Sequence, residues 1–211
     1  MKPEDEPYAL RSPDEKTRRM KLLGQPHMEP LVRYLEDIKV EHHEKDPPHF
    51  DPCDGGINAR VLFLLEAPGP KAVSSNFISR NNPDPTARNM CRFLQDAGIQ
   101  RSDSVLWNIV PWYVGDGSRI RAVNNNDIIQ AAPYLKELIA LLPELKVIAL
   151  VGKKAQSAQK YIRELSNLPL IHTHHPSARV FNVWPHKRKE MSEQLAEIAE
   201  IINGRESGQN L

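Results

Sequence analysis

Cysteine is scarce: Cys53 and Cys91 are the only two in 211 residues. With no CxxC and no second pair, a four-cysteine zinc site or iron–sulfur cluster within one chain is excluded, and a disulfide scaffold is not expected. Long apolar runs are missing too. No stretch approaches the roughly 18 apolar residues of a membrane span, and the opening Met-Lys-Pro-Glu-Asp-Glu lacks the apolar core of a secretory signal. These absences point to a cytoplasmic protein with reduced thiols and no membrane partner. An excess of charge of one sign is also lacking, since 28 basic residues face 27 acidic ones for a net +1.

What is present is a globular composition, 40% hydrophobic and 26% charged, long enough for one domain with an appendage. The charge is unevenly spread: residues 57–189 sum to +9, and each flank sums to −4. A basic middle between acidic ends is a mild pointer to nucleic acid or another anionic ligand. If so, the positive potential belongs on the face that carries the functional residues.

Residues 1–27 hold Pro3, Pro7, Pro13 and Pro26 among dense charges, a composition that reads as an extended or lightly docked arm. From Met28 to about Lys45, apolar residues at helical spacing predict an amphipathic helix packing on the main domain, and Pro47, Pro48, Pro52, Gly55 and Gly56 mark a linker. Residues 1–56 therefore form an arm and helix, and residues 57–211 the domain proper. Within the latter, strands are expected over 60–65, 104–110, 146–151 and 170–174, with helices over 85–97, 124–142, 153–166 and 185–202 and a long loop over 66–84. Strand alternating with helix predicts an α/β fold, a three-layer α/β/α sandwich around a parallel four-stranded sheet. Ligands of such sheets bind beyond the carboxyl ends of the strands.

Three polar groups fall there. Glu66, followed by Ala67-Pro68-Gly69, ends the first strand after five apolar residues; it is suited to proton transfer or to holding a water, and equally to stabilising the turn. Asn108 lies in an apolar strand, where a buried amide must be satisfied by a neighbouring loop or by a ligand such as a nucleobase edge. His172, His174 and His175 cluster at the fourth strand. A zinc pair lacks a third ligand at suitable spacing, and a histidine followed by Pro176-Ser177 is better placed as an electrophile at a ligand or as a capped structural residue. Phe77, Trp112 and Tyr113 lie in nearby loops, able to stack on a base or to serve as core lids. Arg179, Lys187 and Arg188 follow the histidine loop, as phosphate contacts or as a solvated face.

In their order along one sheet these features resemble the uracil-DNA glycosylase superfamily. Glu66-Ala67-Pro68-Gly69 is similar to its first motif in one branch. Asn108 matches the uracil-reading Asn, and residues 147–156, an apolar strand running into Gly-Lys-Lys-Ala-Gln, match its third strand. His175-Pro176-Ser177 matches its second motif. Leu65 stands where a Gly usually precedes the motif. Ala67 stands where several branches carry a water-activating Asp or Asn, as in the iron–sulfur branch, whose four cysteines are absent here. The resemblance implies a base-excision enzyme, a monomer acting on DNA that contains uracil or another deaminated base, nucleoid-associated while it acts, with no cofactor. It implies Glu66 and His175 as catalytic residues, and Ala67, Pro68, Gly69, Phe77 and Asn108 around the base, with Phe77 stacking. Ser177, Arg179, Lys187 and Arg188 are implied on the DNA, Arg179 as the wedge. Two rivals remain from the residues themselves: a catalytically silent DNA- or nucleotide-binding protein of the same fold, and a hydrolase acting on a small nucleoside.

Overall fold

The structure is a computed structural model that describes residues 6–115 and 121–204. In chain order its helices are α1 (Pro13–Leu22), α2 (Glu29–Glu41), α3 (Pro70–Ser75), α4 (Pro85–Asp96), α5 (Asn125–Ala140), α6 (Gly152–Gln156), α7 (Gln159–Leu165), α8 (Ala178–Val183) and α9 (Lys187–Asn203). The strands are β1 (His49–Phe50), β2 (Val61–Leu65), β3 (Phe77–Ile78), β4 (Ser104–Asn108), β5 (Val147–Val151) and β6 (Leu170–Thr173).

Four strands form one parallel sheet in the order β4-β2-β5-β6. Strands β2, β4 and β5 read as near-continuous apolar runs because both their faces are covered, and β4 and β5 are buried at every residue. Right-handed crossovers fix where the helices lie. The chain steps from β2 to β4 through α4, then reverses to β5 through α5, so α4 and α5 cover opposite faces. The packing agrees: α4, α8 and α9 touch one another, and α5 touches α2 and α7. Because the direction reverses after β4, the sheet has its switch point between β2 and β5, where the loops leaving the two strands diverge and open a crevice.

Local signals set the ends of the helices. Asp84 caps α4 by accepting the Ala87 N–H at 2.9 Å, with Pro85 in the first turn, and Gly98 at φ 69° follows its end. Asn124 and Asp127 form a reciprocal capping box at α5.

The long loop expected over 66–84 contains α3 and β3, and β3 pairs in parallel with β1 through His49–Phe77 and Phe50–Ile78. The N-terminal residues also differ from an extended arm. Ser12 caps α1, Pro13 starts it, and Arg19 is fully buried. Its guanidinium donates to Asp51, to Ser79 Oγ at 3.2 Å and to Asn81 Oδ1 at 3.0 Å. Arg101 joins the same cluster at 2.7 Å from Asp51 and 2.9 Å from Asp54, and Arg80 lies 3.4 Å from Asp54. Burial by itself would raise the Asp51 carboxyl, but Arg101 and Arg19 hold it down at about 2. Leu10, Met28, Leu31, Leu35 and Ile38 are buried in the same apolar core as the sheet, and Phe50 stacks on Trp107 with centroids 3.6 Å apart. Trp112 is core as well, against Tyr134 and His42. No described helix is long and apolar enough to cross a membrane.

Candidate active site at the carboxyl edge of the sheet

A cavity of about 390 Å³ opens beyond the carboxyl ends of β2 and β4. The turn 66–72 forms one wall, the segment 78–84 and the first turns of α4 form another, and Leu106, Asn108 and His175 complete the lining. A second cavity of about 490 Å³ lies on the β5–β6 side and shares Glu66 and His175 with the first. These two residues therefore stand on the boundary between the cavities, next to the switch point.

Asn108 pairs with Leu65 across the sheet and is 4% exposed. Its side-chain nitrogen has no hydrogen-bond partner. Leaving such a donor unpaired costs about 1–3 kcal/mol. Asn108 lines the cavity, and the unpaired nitrogen itself is buried.

His175 is held by its surroundings. Gly152 begins α6 at φ 84°, and a Cβ there would stand 2.8 Å from the His175 Cβ, so glycine is required both by conformation and by contact. The Pro176 carbonyl accepts the Asn89 side-chain amide at 2.8 Å, fixing the loop to α4. Burial lowers the His175 pKa below its ordinary value, with Glu66 and Asp84 pulling against it, so the imidazole is neutral at pH 7. A neutral ring keeps one N–H to donate and carries no charge to neutralise.

Glu66 uses one oxygen to accept the Val123 N–H at 2.9 Å, and Lys154 in turn donates to the Val123 carbonyl at 3.2 Å. It is thus tied to the segment before α5 rather than to its own turn. Ala67, Pro68 and Gly69 line the first cavity, Gly69 as the N-cap of α3.

Phe77 departs from expectation. Its ring is fully buried beside the His49 ring, 6.1 Å between centroids, and it does not line the cavity. Pairing with β1 fixes the pleat of β3, and period-two alternation gives the cavity Ile78 instead. A base held there would not meet the Phe77 ring. Among the described residues the walls hold no Phe, Tyr or Trp, and a planar ligand would meet aliphatic surface such as Pro68, Ile78 and Met90.

The histidine loop runs into α8. Ser177 caps that helix, its hydroxyl accepting the Val180 N–H at 3.3 Å. Arg179 is exposed on α8. Lys187 lies over the Trp184 ring at 4.3 Å and Arg188 over the Phe181 ring at 4.6 Å. Trp184, Lys153, Lys154 and Lys187 line the second cavity. The basic middle of the sequence divides in two. These cations stand near the site, whereas Arg80 and Arg101 are consumed in the buried ion cluster by Asp51 and Asp54, which lie outside residues 57–189. The +9 of residues 57–189 therefore overstates the charge available to a ligand.

His174, on the wall of the second cavity, bonds Glu190 at 2.5 Å, and its backbone N–H is accepted by Gln194. Among the described residues no group of three His, Cys, Asp or Glu is placed to hold a metal ion, and both cysteines are free thiols. Sequence reasoning missed Asp84, Met90 and Ile78 on the cavity wall, and the role of Gly152 behind His175. Only Asp84 carried a local signal, the Asp-Pro pair that starts a helix.

The sequence model of the "Uracil DNA glycosylase superfamily" matches residues 52–199. The chain belongs to this superfamily. Among solved structures it is similar to a solution NMR structure of a "putative Uracil DNA glycosylase" from Methanosarcina acetivorans, with 14% identity over 67% of this chain and 91% of that one and a TM-score of 0.48. No curated protein matches it. The superfamily match begins after β1, so α1, α2 and the arginine that anchors α1 lie outside it.

Proposed function

We propose that the protein is a monofunctional DNA N-glycosylase that hydrolyses the bond between deoxyribose and uracil, or a related deaminated base, after flipping the nucleotide out of DNA. The observation that carries this reading is the buried Asn108, its amide nitrogen unpaired, in the lining of a cavity that also holds His175.

The chemistry follows from the groups available. Extruding the base costs a few kcal/mol, least for a mismatched or unpaired base. Asn108 offers a donor and an acceptor side by side: the amide N–H donates to the uracil O4 and the amide oxygen accepts N3–H. Cytosine presents the reverse pattern and would leave both groups unpaired in a buried site, which is how polar pockets discriminate. As the C1′–N bond breaks, the base becomes an anion and the sugar a cation. The His175 N–H donates to the developing charge on O2, the kind of contact worth about 10²–10³ in rate. Glu66, with one oxygen anchored and the other free to face the cavities, positions water for attack on the sugar. Arg179 fills the gap left by the flipped base, while Lys187, Arg188 and Ser177 face the backbone.

The test uses single- and double-stranded oligonucleotides with one uracil, incubated with the protein and then treated with alkali. Strand scission at the uracil is expected, lost on His175→Ala. Binding that falls with salt but never yields scission would favour the silent DNA binder, and release of base from free deoxyuridine alone would favour the nucleoside hydrolase.

A further inference from the structure

Among the described residues the first cavity has two carboxylates on its walls, and only Glu66 is used above. The other is Asp84. One of its oxygens accepts the Ala87 N–H, its own N–H donates to the Asn82 carbonyl at 2.8 Å, and its second oxygen has no partner among the described residues. No described Lys or Arg forms an ion pair with it, so its charge is not spent on a counter-ion. Besides capping α4, Asp84 lines the same cavity as Asn108, whose amide nitrogen is buried and unpartnered. A carboxylate with one oxygen held by a helix, the other without a partner, on the wall of a ligand site has the attributes of a preorganised base.

We propose that Asp84 is a second catalytic carboxylate, which takes the proton of the attacking water that Glu66 positions. The inference rests on the glycosylase reading and adds the residue that completes the hydrolysis. The C1′–N bond breaks with its electron pair leaving on the base, whose anion His175 stabilises. The water oxygen forms the new bond to C1′ and its proton passes to the Asp84 carboxylate. The released base anion later takes a proton from solvent, and Asp84 returns its own to solvent. Before the proton moves, the same negative charge stabilises the cationic sugar. Position 67, an alanine, has no side chain able to do either. Asp84 and His175 line the same cavity, and the Asp84 charge pulls the His175 pKa upward against the effect of burial.

Asp84→Asn tests this cleanly, because Asn caps a helix as well as Asp does and only the charge and the proton acceptor are lost. Single-turnover release of uracil from an oligonucleotide should fall about 10²-fold or more. Affinity for the same oligonucleotide carrying a non-hydrolysable 2′-fluoro deoxyuridine should stay within about twofold, a split that a merely structural role would not give. NMR titration of His175 should show its pKa lowered further in the variant. Glu66 and the histidines and lysines of the adjoining cavity, His172, His174, Lys153, Lys154 and Lys187, are unchanged in that comparison. A variant that releases uracil at the wild-type rate, or a His175 titration that does not move, overturns the proposal. Wild-type protein that releases no base from any oligonucleotide overturns the glycosylase reading instead, and the titration still reports whether Asp84 faces His175.

Discussion

Two polar clusters lie within the same domain and obey opposite rules. Around Arg19, three arginines and two aspartates are buried together, each charge within ion-pair distance of an opposite one. At the carboxyl edge of the sheet, Asn108 is almost as deeply buried and lines a cavity, yet its amide nitrogen has no hydrogen-bond partner. Paired buried charge fastens the N-terminal helix to the loop behind the cavity wall, through Ser79 and Asn81. An unpaired buried donor weakens the fold unless something else completes it, and where the Arg80 Nε in the ion cluster sits beside opposite charge, the Asn108 amide has none. The contrast separates structural polarity from functional polarity better than residue type does, since an arginine in a DNA-binding family is the first candidate for a phosphate contact and here three are structural.

The sharpest way to break this contrast is Arg19→Ala. It leaves Asp51 buried beside one arginine rather than two, and losing a partner of a buried pair costs about 3–5 kcal/mol. Urea denaturation should show a large fall in midpoint, and an unchanged midpoint would mean the cluster is not structural. Acid should attack the same cluster. Because the Asp51 pKa is depressed to about 2 from 3.8, its contribution of about 2 kcal/mol is fully present above pH 4 and is lost as pH falls toward 2. Stability followed from pH 5 to pH 2 should decline more steeply in the wild type than in Asp51→Asn. On the functional side, Gly152→Ala forces a side chain into a positive φ and against His175, at a cost of about 1–2 kcal/mol. Melting should report that loss, and turnover should fall more than stability does, since the displaced group is the histidine. The smallest effect is expected at Arg179→Ala and Lys187→Ala, which should leave stability untouched and reduce the salt dependence of DNA binding by a slope of about 1 each. A slope unchanged by either would remove α8 and the start of α9 from the DNA surface.

What the sequence made legible follows the same division. The strands β2, β4 and β5 could be read because burial on both faces leaves an uninterrupted apolar run, and Asn108 and His175 because polar residues at the ends of such runs are conspicuous. Helix α1 could not. Its side chains look solvated, and the burial of Arg19 depends on Asp51, Ser79 and Asn81, distant in sequence. The misplacement of Phe77 has a related cause: β1 and β3 are two residues each, too short for any periodicity, and it is their pairing that turns the ring from the cavity toward His49. The Asp-Pro start of α4 was visible, but which way a cap faces is decided by packing, so the position of Asp84 on the wall was not.

The central claim is that the Asn108 amide is unpaired in order to bind a flipped base, and Asn108→Leu tests it most directly. The substitution removes an unsatisfied donor at nearly constant volume, so urea stability should be equal to or above that of the wild type. Release of uracil from a single-turnover oligonucleotide should nevertheless fall by about 10²-fold or more. A leucine variant that keeps wild-type turnover, or that loses activity only because it unfolds, would contradict the account.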